Sequence, residues 1–287
     1  MAEQNSYQVA DWNGQSGEYW VANQTRLDAM LASFGQAAIE AAAPAAGERV
    51  LDVGCGAGAS SLALAARVGA RGQVLGVDIS EPLIGRARAL APQDRPVLFQ
   101  VADASSAELP EGAFDILFSR FGVMFFDDPT AAFAHMRRAL RPGGRVAFVC
   151  WRGVAENDWV RLPMVAIKDI VPLPAPPGPE APGPFSFGDP GRVARILTAA
   201  GFTDITIAPF EASISLGQGD TRNAAIDDAV KMAFEGGPLS LVLADQSDDV
   251  RAHAWAAVRA AFAGLPGERS VMIDGAAWIV TARNPVS

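Results

Sequence analysis

The sequence predicts an α/β protein built on a doubly wound, mostly parallel sheet of seven strands, with helical cap insertions. Three observations carry this expectation. Five short apolar runs recur at intervals of roughly 20 to 30 residues. Helical stretches lie between them. The turn after the first run, within VLDVGCGAGASSLALA (50–65), packs Gly54, Gly56 and Gly58 into five residues before a helix begins.

The elements follow in chain order. Residues 1–23 are polar and aromatic, with Trp12, Tyr19 and Trp20, and residues 24–42 read as an amphipathic helix that Pro44 ends. The apolar runs RVLDV (49–53), QVLGVD (73–78), VLFQVAD (97–103), FDILFS (114–119) and RVAFVCW (145–151) suit buried strands of a parallel sheet. Residues 58–67, 81–91 and 129–140 read as helices; Ser80 is the N-cap of the second, with Pro82 in its first turn. The seven prolines of VPLPAPPGPEAPGPF (171–185) predict a loop or a rigid pocket wall, because proline fixes φ and removes the amide donor. Asp189 and Pro190 open a further helix that ends near Gly201. A strand follows at 203–216, then a mostly helical stretch over 222–263, and AAWIVTARNP supplies the last strand.

Composition narrows the function. Half of the 287 residues are hydrophobic, enough for a sizeable core, and the net charge is −9. An acidic chain without a run of Lys and Arg argues against a nucleic-acid partner. The N-terminus lacks the pattern of a signal peptide and no apolar run is long enough to span a bilayer, so a cytoplasmic protein without membrane insertion is expected. Cys55 and Cys150 cannot make a four-thiolate zinc site, and no metal is expected.

The chemistry concentrates at strand ends. A strand that ends in Gly-x-Gly-x-Gly and turns into a helix offers its backbone to a ligand at the carboxyl edge of the sheet. Asp78 ends the second run, where an acid can accept hydrogen bonds from the vicinal hydroxyls of a ribose. Asp103 ends the third, with Ala104 beside it, and this pair can read the edge of an adenine. Ser119 and Arg120 end the fourth. Together these residues describe a site for a nucleoside without a pyrophosphate. His135 faces away from the Phe133–Met136–Leu140 stripe, and His253 flanks the stripe from Val250 to Phe262, so neither reads as a general base.

The motifs VLDVGCGAG, VLGVDIS, VADAS, FDILFSRFGVMFFDDP and LRPGGRVAFVCW resemble, in order, those of class I S-adenosylmethionine-dependent methyltransferases, which have a Rossmann-like sheet. Within that class the chain resembles the ubiquinone/menaquinone C-methyltransferase-like group, also called methyltransferase type 11. The resemblance covers residues 47–151. It implies S-adenosylmethionine as cofactor, S-adenosylhomocysteine as product and a small-molecule acceptor. It implies that Gly54, Cys55 and Gly56 line the methionine end, that Asp52 orients this turn, and that Asp78 binds the ribose with Ile79 against the adenine. It further implies that Asp103 and Ala104 read the adenine edge, that the main chain at Ser119, beside Arg120, meets the cofactor's amino group, and that Phe121 and Met124 begin the acceptor pocket. Trp12, Tyr19 and Trp20 fit either a lid or ordinary packing, and Trp151, Trp159 and Phe126 either the acceptor pocket or the core.

The expected organisation is one domain overall. It comprises an N-terminal lid and helix (1–46), a cofactor-binding core (47–151), a Pro-rich cap segment (152–188), a return helix and strand (189–216), a helical cap insertion (217–268) and a final strand (269–287). The segment WNGQSGEYW and the long stretches 152–188 and 217–268 depart from the quinone enzymes, so a quinone acceptor does not follow. Two rival readings stand beside this one. A non-catalytic binding module is compatible with the same fold. A nicotinamide-dependent oxidoreductase needs Gly-x-Gly-x-x-Gly, whose sixth position here is Ala59, and commonly Tyr-x-x-x-Lys, whereas Tyr7 and Tyr19 are followed by Asp11 and Asn23.

Overall fold

The computed structural model describes residues 2–175, 177–178 and 180–286. Its seven strands are β1 (Arg49–Val53), β2 (Gln73–Asp78), β3 (Val97–Val101), β4 (Phe114–Arg120), β5 (Leu140–Trp151), β6 (Thr203–Gln218) and β7 (Ser270–Arg283). They form one sheet in the order β3-β2-β1-β4-β5-β7-β6. Strands β1 to β5 are parallel, and β7 is antiparallel to β5 from Arg145↔Arg283 to Trp151↔Ala277. The strand order reverses between β1 and β4, and the crevice outside their carboxyl ends is where ligands of such sheets bind.

The apolar runs form the central strands because helices cover both faces. Val50, Leu51 and Asp52 are fully buried in β1, as are Ile116, Leu117 and Phe118 in β4. Helices Ala59–Val68, Glu81–Leu90 and Pro129–Ala139 connect the strands, close to their expected bounds. Ser80 accepts from the Leu83 amide and Asp189 from those of Gly191 and Arg192, so both N-caps stand where the sequence put them.

Local differences have local causes. β5 starts at Leu140 rather than 145, since Leu140 already pairs with Phe114 and Arg141–Gly144 bulge out before pairing resumes at Arg145. The stretch 24–42 is two helices, Gln24–Met30 and Ala32–Ala42, broken where Leu31 leaves helical geometry. The polar, aromatic N-terminal stretch holds the helices Ala2–Trp12 and Gln15–Ala22. Aromatic packing supports this pair: Trp12 meets Trp20 edge-on at 6.0 Å and Phe125 at 5.7 Å. The described residues of 171–188 hold no helix or strand, which suits their proline content; Pro176 and Pro179 lie outside the described residues.

The chain divides into two compact units. The first comprises Met1–Trp151, Glu180–Phe210 and Ala277–Ser287. The second gathers the two long stretches noted in the sequence, as Arg152–Pro179 and Glu211–Ala276. It has its own core, in which Val160, Ile167, Ala229, Val230, Val258 and Phe262 are buried on helices Asp158–Ile167, Arg222–Glu235 and Asp248–Ala263. Its buried hub is Asn157. The side-chain amide donates to the carbonyls of Arg152, Gly153 and Ala276, and its oxygen accepts from the Ala276 amide and the Trp159 indole. Among the described residues no helix is long and apolar enough to cross a membrane.

Candidate active site

The site is built from the carboxyl ends of β1, β2 and β4. Asp52 lies fully buried in β1, paired with Gly76 on β2 and Phe118 on β4. A carboxylate so placed loses its hydration, and two serines from the first turn of the next helix offset part of that cost. Ser60 Oγ and Ser61 Oγ both donate to Asp52 Oδ2, at 2.7 and 2.5 Å. Burial pushes the Asp52 carboxyl up to about 6, against the downward pull of the two serines and Arg120. Its second oxygen, Oδ1, is buried and has no partner.

The glycines after β1 do different jobs. Gly54 has φ +65°, and a side chain there would meet the Gly122 Cα at 2.7 Å, because the turn after β4 presses against it. Gly56 has φ +53°, yet a Cβ there would have nothing within 4 Å. At Gly54 the close neighbour is protein backbone and at Gly58 it is the Phe99 ring, whereas Gly56 faces open space. Cys55, between them, is buried with its thiol toward the Gly56 carbonyl, and burial raises its pKa well above the ordinary value. It is not a nucleophile.

Asp78 ends β2 half-buried and ties the edge together. Its Oδ2 accepts from the Gly56 amide at 2.8 Å and its Oδ1 from the Ser80 amide at 2.9 Å. Burial raises its pKa while the amides of Ser80, Gly56 and Ile79 lower it. Each oxygen keeps a lone pair for a ligand hydroxyl. Asp103 Oδ1 accepts from the Ser105 amide and hydroxyl at 2.8 and 2.7 Å, and Ala104 beside it is buried. Ser119 is fully buried; its hydroxyl donates to the Val53 carbonyl at 2.7 Å and accepts from the Gly122 amide, so the side chain joins β4 to β1. Arg120 pairs with Asp28 at 2.7 Å.

The residues expected around an acceptor fall into two groups. Phe121, at φ +61°, stacks on Trp151 with ring centroids 4.2 Å apart, and Phe34 meets both rings edge-on. Met124 is buried; its sulfur accepts from the Trp151 amide and its carbonyl from Gly183 and Ser186. Trp12 and Trp20 form the other group with Phe125, and Tyr19 shares the helix of Trp20, its carbonyl accepting from Asn23. Trp159 belongs to the second unit, on Asn157, and Phe126 packs edge-on against Phe133. His135 is not the free surface residue expected. It is half-buried, with Nε2 on the Ala107 carbonyl at 2.8 Å and Nδ1 on Arg138. His253 is exposed.

Sequence reasoning missed Ser60, Ser61 and Gly122. Their signal was available in part, as two hydroxyls in the first turn of a helix that follows a buried acid.

The fold is that of the class I methyltransferases. Residues 51–148 match the family described as "Methyltransferase domain", and a phosphoethanolamine N-methyltransferase of Haemonchus contortus with a similar fold, 20% identical at a TM-score of 0.51 over 88% of this chain and 52% of that one, is a complex with S-adenosyl-L-methionine. The chain is 34% identical over 177 residues to nocamycin O-methyltransferase of Saccharothrix syringae, covering 56% of this chain and 61% of that one. It is 37% identical over 117 residues to aklanonic acid methyltransferase DauC of Streptomyces sp. (strain C5), covering 40% and 53%. Both matches thus span less than two thirds of the relative. Among solved structures, the YcgJ protein of Bacillus subtilis superposes with a TM-score of 0.57 at 19% identity, covering 88% of this chain and 97% of that one.

The residues present fit this cofactor. The open face at Gly56 gives a ligand access to main chain, and the partnerless Asp52 Oδ1 supplies a buried acceptor at the same turn.

Proposed function

We propose that the protein transfers the methyl group of S-adenosylmethionine to an oxygen, nitrogen or carbon atom of a small, hydrophobic or aromatic acceptor. The observation that supports this best is the edge just described, where Asp78 holds the Gly56 amide, the backbone at Gly56 is open and Asp52 lies buried near the end of the neighbouring strand with a free oxygen. When bound, the cofactor supplies an electrophilic sulfonium methyl. In this reading the lone pairs of Asp78 take the ribose hydroxyls, Asp103 with Ala104 meets the adenine edge, and the negative charge of Asp52 favours the amino group of the methionine end. The protein's work is then to align the acceptor with the methyl and to exclude water. Alignment of this kind is worth up to about 7–11 kcal/mol. Neither His135, committed to Ala107 and Arg138, nor the two buried thiols supplies a base or nucleophile, which suits an acceptor that is already nucleophilic or ionises readily.

The relatives support a small acceptor, since both are named for methylation of small compounds. The resemblance to the type 11 group supports the same class without specifying a quinone. Calorimetric titration with S-adenosylhomocysteine tests the reading. Micromolar binding is expected, followed by methyl transfer in a screen of phenols, quinols and amines; folded protein that binds no S-adenosylhomocysteine refutes it.

A further inference from the structure

The segment WNGQSG (12–17), placed so far only by the packing of Trp12, is also fastened to the Asp78 end of β2. Residues Trp12 and Asn13 form the corner between the two N-terminal helices. This corner makes three hydrogen bonds to three consecutive residues that follow Asp78. Asn13 Nδ2 donates to the Ile79 carbonyl at 3.0 Å, the Trp12 carbonyl accepts from Ser80 Oγ at 2.6 Å, and Asn13 Oδ1 accepts from the Glu81 amide at 2.9 Å. Ser80 then passes the connection on. Its amide donates to Asp78 Oδ1, and Asp78 Oδ2 accepts from the Gly56 amide. A continuous run of bonds thus leads from the corner to the ribose-facing acid and on to the glycine turn.

Gly17 gives independent support. A Cβ there would lie 2.1 Å from the Trp12 carbonyl oxygen and 3.1 Å from Ser80 Oγ, so the second helix packs so closely on this fastening that only glycine fits. The fastening does not borrow the acid at the end of β2, because Asn13 bonds only to main chain there.

We infer that Asn13 is a positioning residue of the cofactor site: with the Trp12 carbonyl it holds the 79–81 loop so that the Ser80 amide aims the Asp78 carboxylate. The helix pair is then a fixed strap whose seating and the cofactor's binding stabilise each other. This rests on the reading of the Gly56–Asp78 edge as the cofactor site.

The test compares the wild-type protein with Asn13→Ala and with Gly17→Ala. Loss of the two Asn13 bonds to the loop is expected to weaken S-adenosylhomocysteine binding about three- to thirtyfold, mainly through faster dissociation. In the protein without ligand, hydrogen exchange is expected to quicken at the amides of Ser80, Glu81 and Gly56, two of which Asn13 does not touch. Gly17→Ala, which displaces the corner, is expected to do the same. A merely structural role would quicken exchange only within residues 2–22 and leave the dissociation constant within twofold, and that result overturns the inference. If the wild-type protein fails to bind S-adenosylhomocysteine, the functional reading falls, while exchange at Ser80 and Gly56 still decides whether the corner governs Asp78.

Discussion

Replacing Asp52 by Asn tests whether the centre of the sheet carries a charge at a cost. The carboxyl is fully buried and its pKa is raised from the usual 3.8 to about 6, chiefly by desolvation. That displacement corresponds to about 3 kcal/mol of native-state preference for the protonated form. The folded state therefore binds the proton more tightly than the unfolded chain between about pH 4 and pH 6. The associated stability is fully present below pH 4 and is lost as pH rises through 6. An Asn variant keeps the shape and has no such dependence. Urea unfolding of both proteins from pH 4.5 to 7.5 should show the wild type losing about 2 kcal/mol relative to Asp52→Asn across the range. The linked binding experiment has the opposite sign. A cofactor whose ammonium favours ionised Asp52 should bind the wild type more tightly as pH rises through 6, with a smaller trend in the variant. A stability difference that is flat with pH, or a wild type that gains on the variant as pH rises, would refute the argument that desolvation dominates at this site.

Two further perturbations separate packing from ligand access. Gly54→Ala should cost at least about 3 kcal/mol, since it adds a side chain against the Gly122 backbone in a left-handed conformation. Gly56→Ala meets no protein atom, so only the backbone strain of about 1–2 kcal/mol should appear in urea unfolding, while S-adenosylhomocysteine affinity falls more than tenfold. In the second unit, Asn157→Ala strands the Ala276 amide and the Trp159 indole among buried groups. It should lower stability by about 2–4 kcal/mol by the same assay, and a change below about 0.5 kcal/mol would show that other groups or water satisfy them.

The parallel core was legible because its signals are local and redundant. Each central strand carries a dense apolar run, each connecting helix begins at a recognisable cap or glycine, and the acids stand at or near strand ends that the pattern itself locates. The N-terminal helix pair was not. Its two helices are short and carry no clean apolar stripe, and they are held by Trp12 on Phe125 and by Asn13 on residues 79–81, contacts 66 or more residues distant. The bulge at Arg141–Gly144 was hidden for a related reason. Arg-Pro-Gly-Gly reads as the end of a helix, and only the pairing of Leu140 with Phe114 turns it into an interruption within a strand. At the site, the acids could be named from spacing, but the roles of the glycines could not. A glycine required by Gly122 and one facing open space look identical in a sequence. His135 shows the converse error, where a helical wheel marks a residue as outward but cannot reveal the Ala107 carbonyl waiting there.

The contact between Gly54 and Gly122 has a consequence for how such a protein can diversify. The turn that follows β1 and the turn that follows β4 meet backbone to backbone, and a Cβ on either glycine would come within 2.7–2.8 Å of the other's Cα. Neither position can accept a side chain unless both turns move together. Two loops with separate tasks thus share one immovable point. Under the proposed function, a change of acceptor preference would have to come from residues beyond that point, from Val123 onward or in the chain segments outside the parallel core, while the junction itself stays as it is.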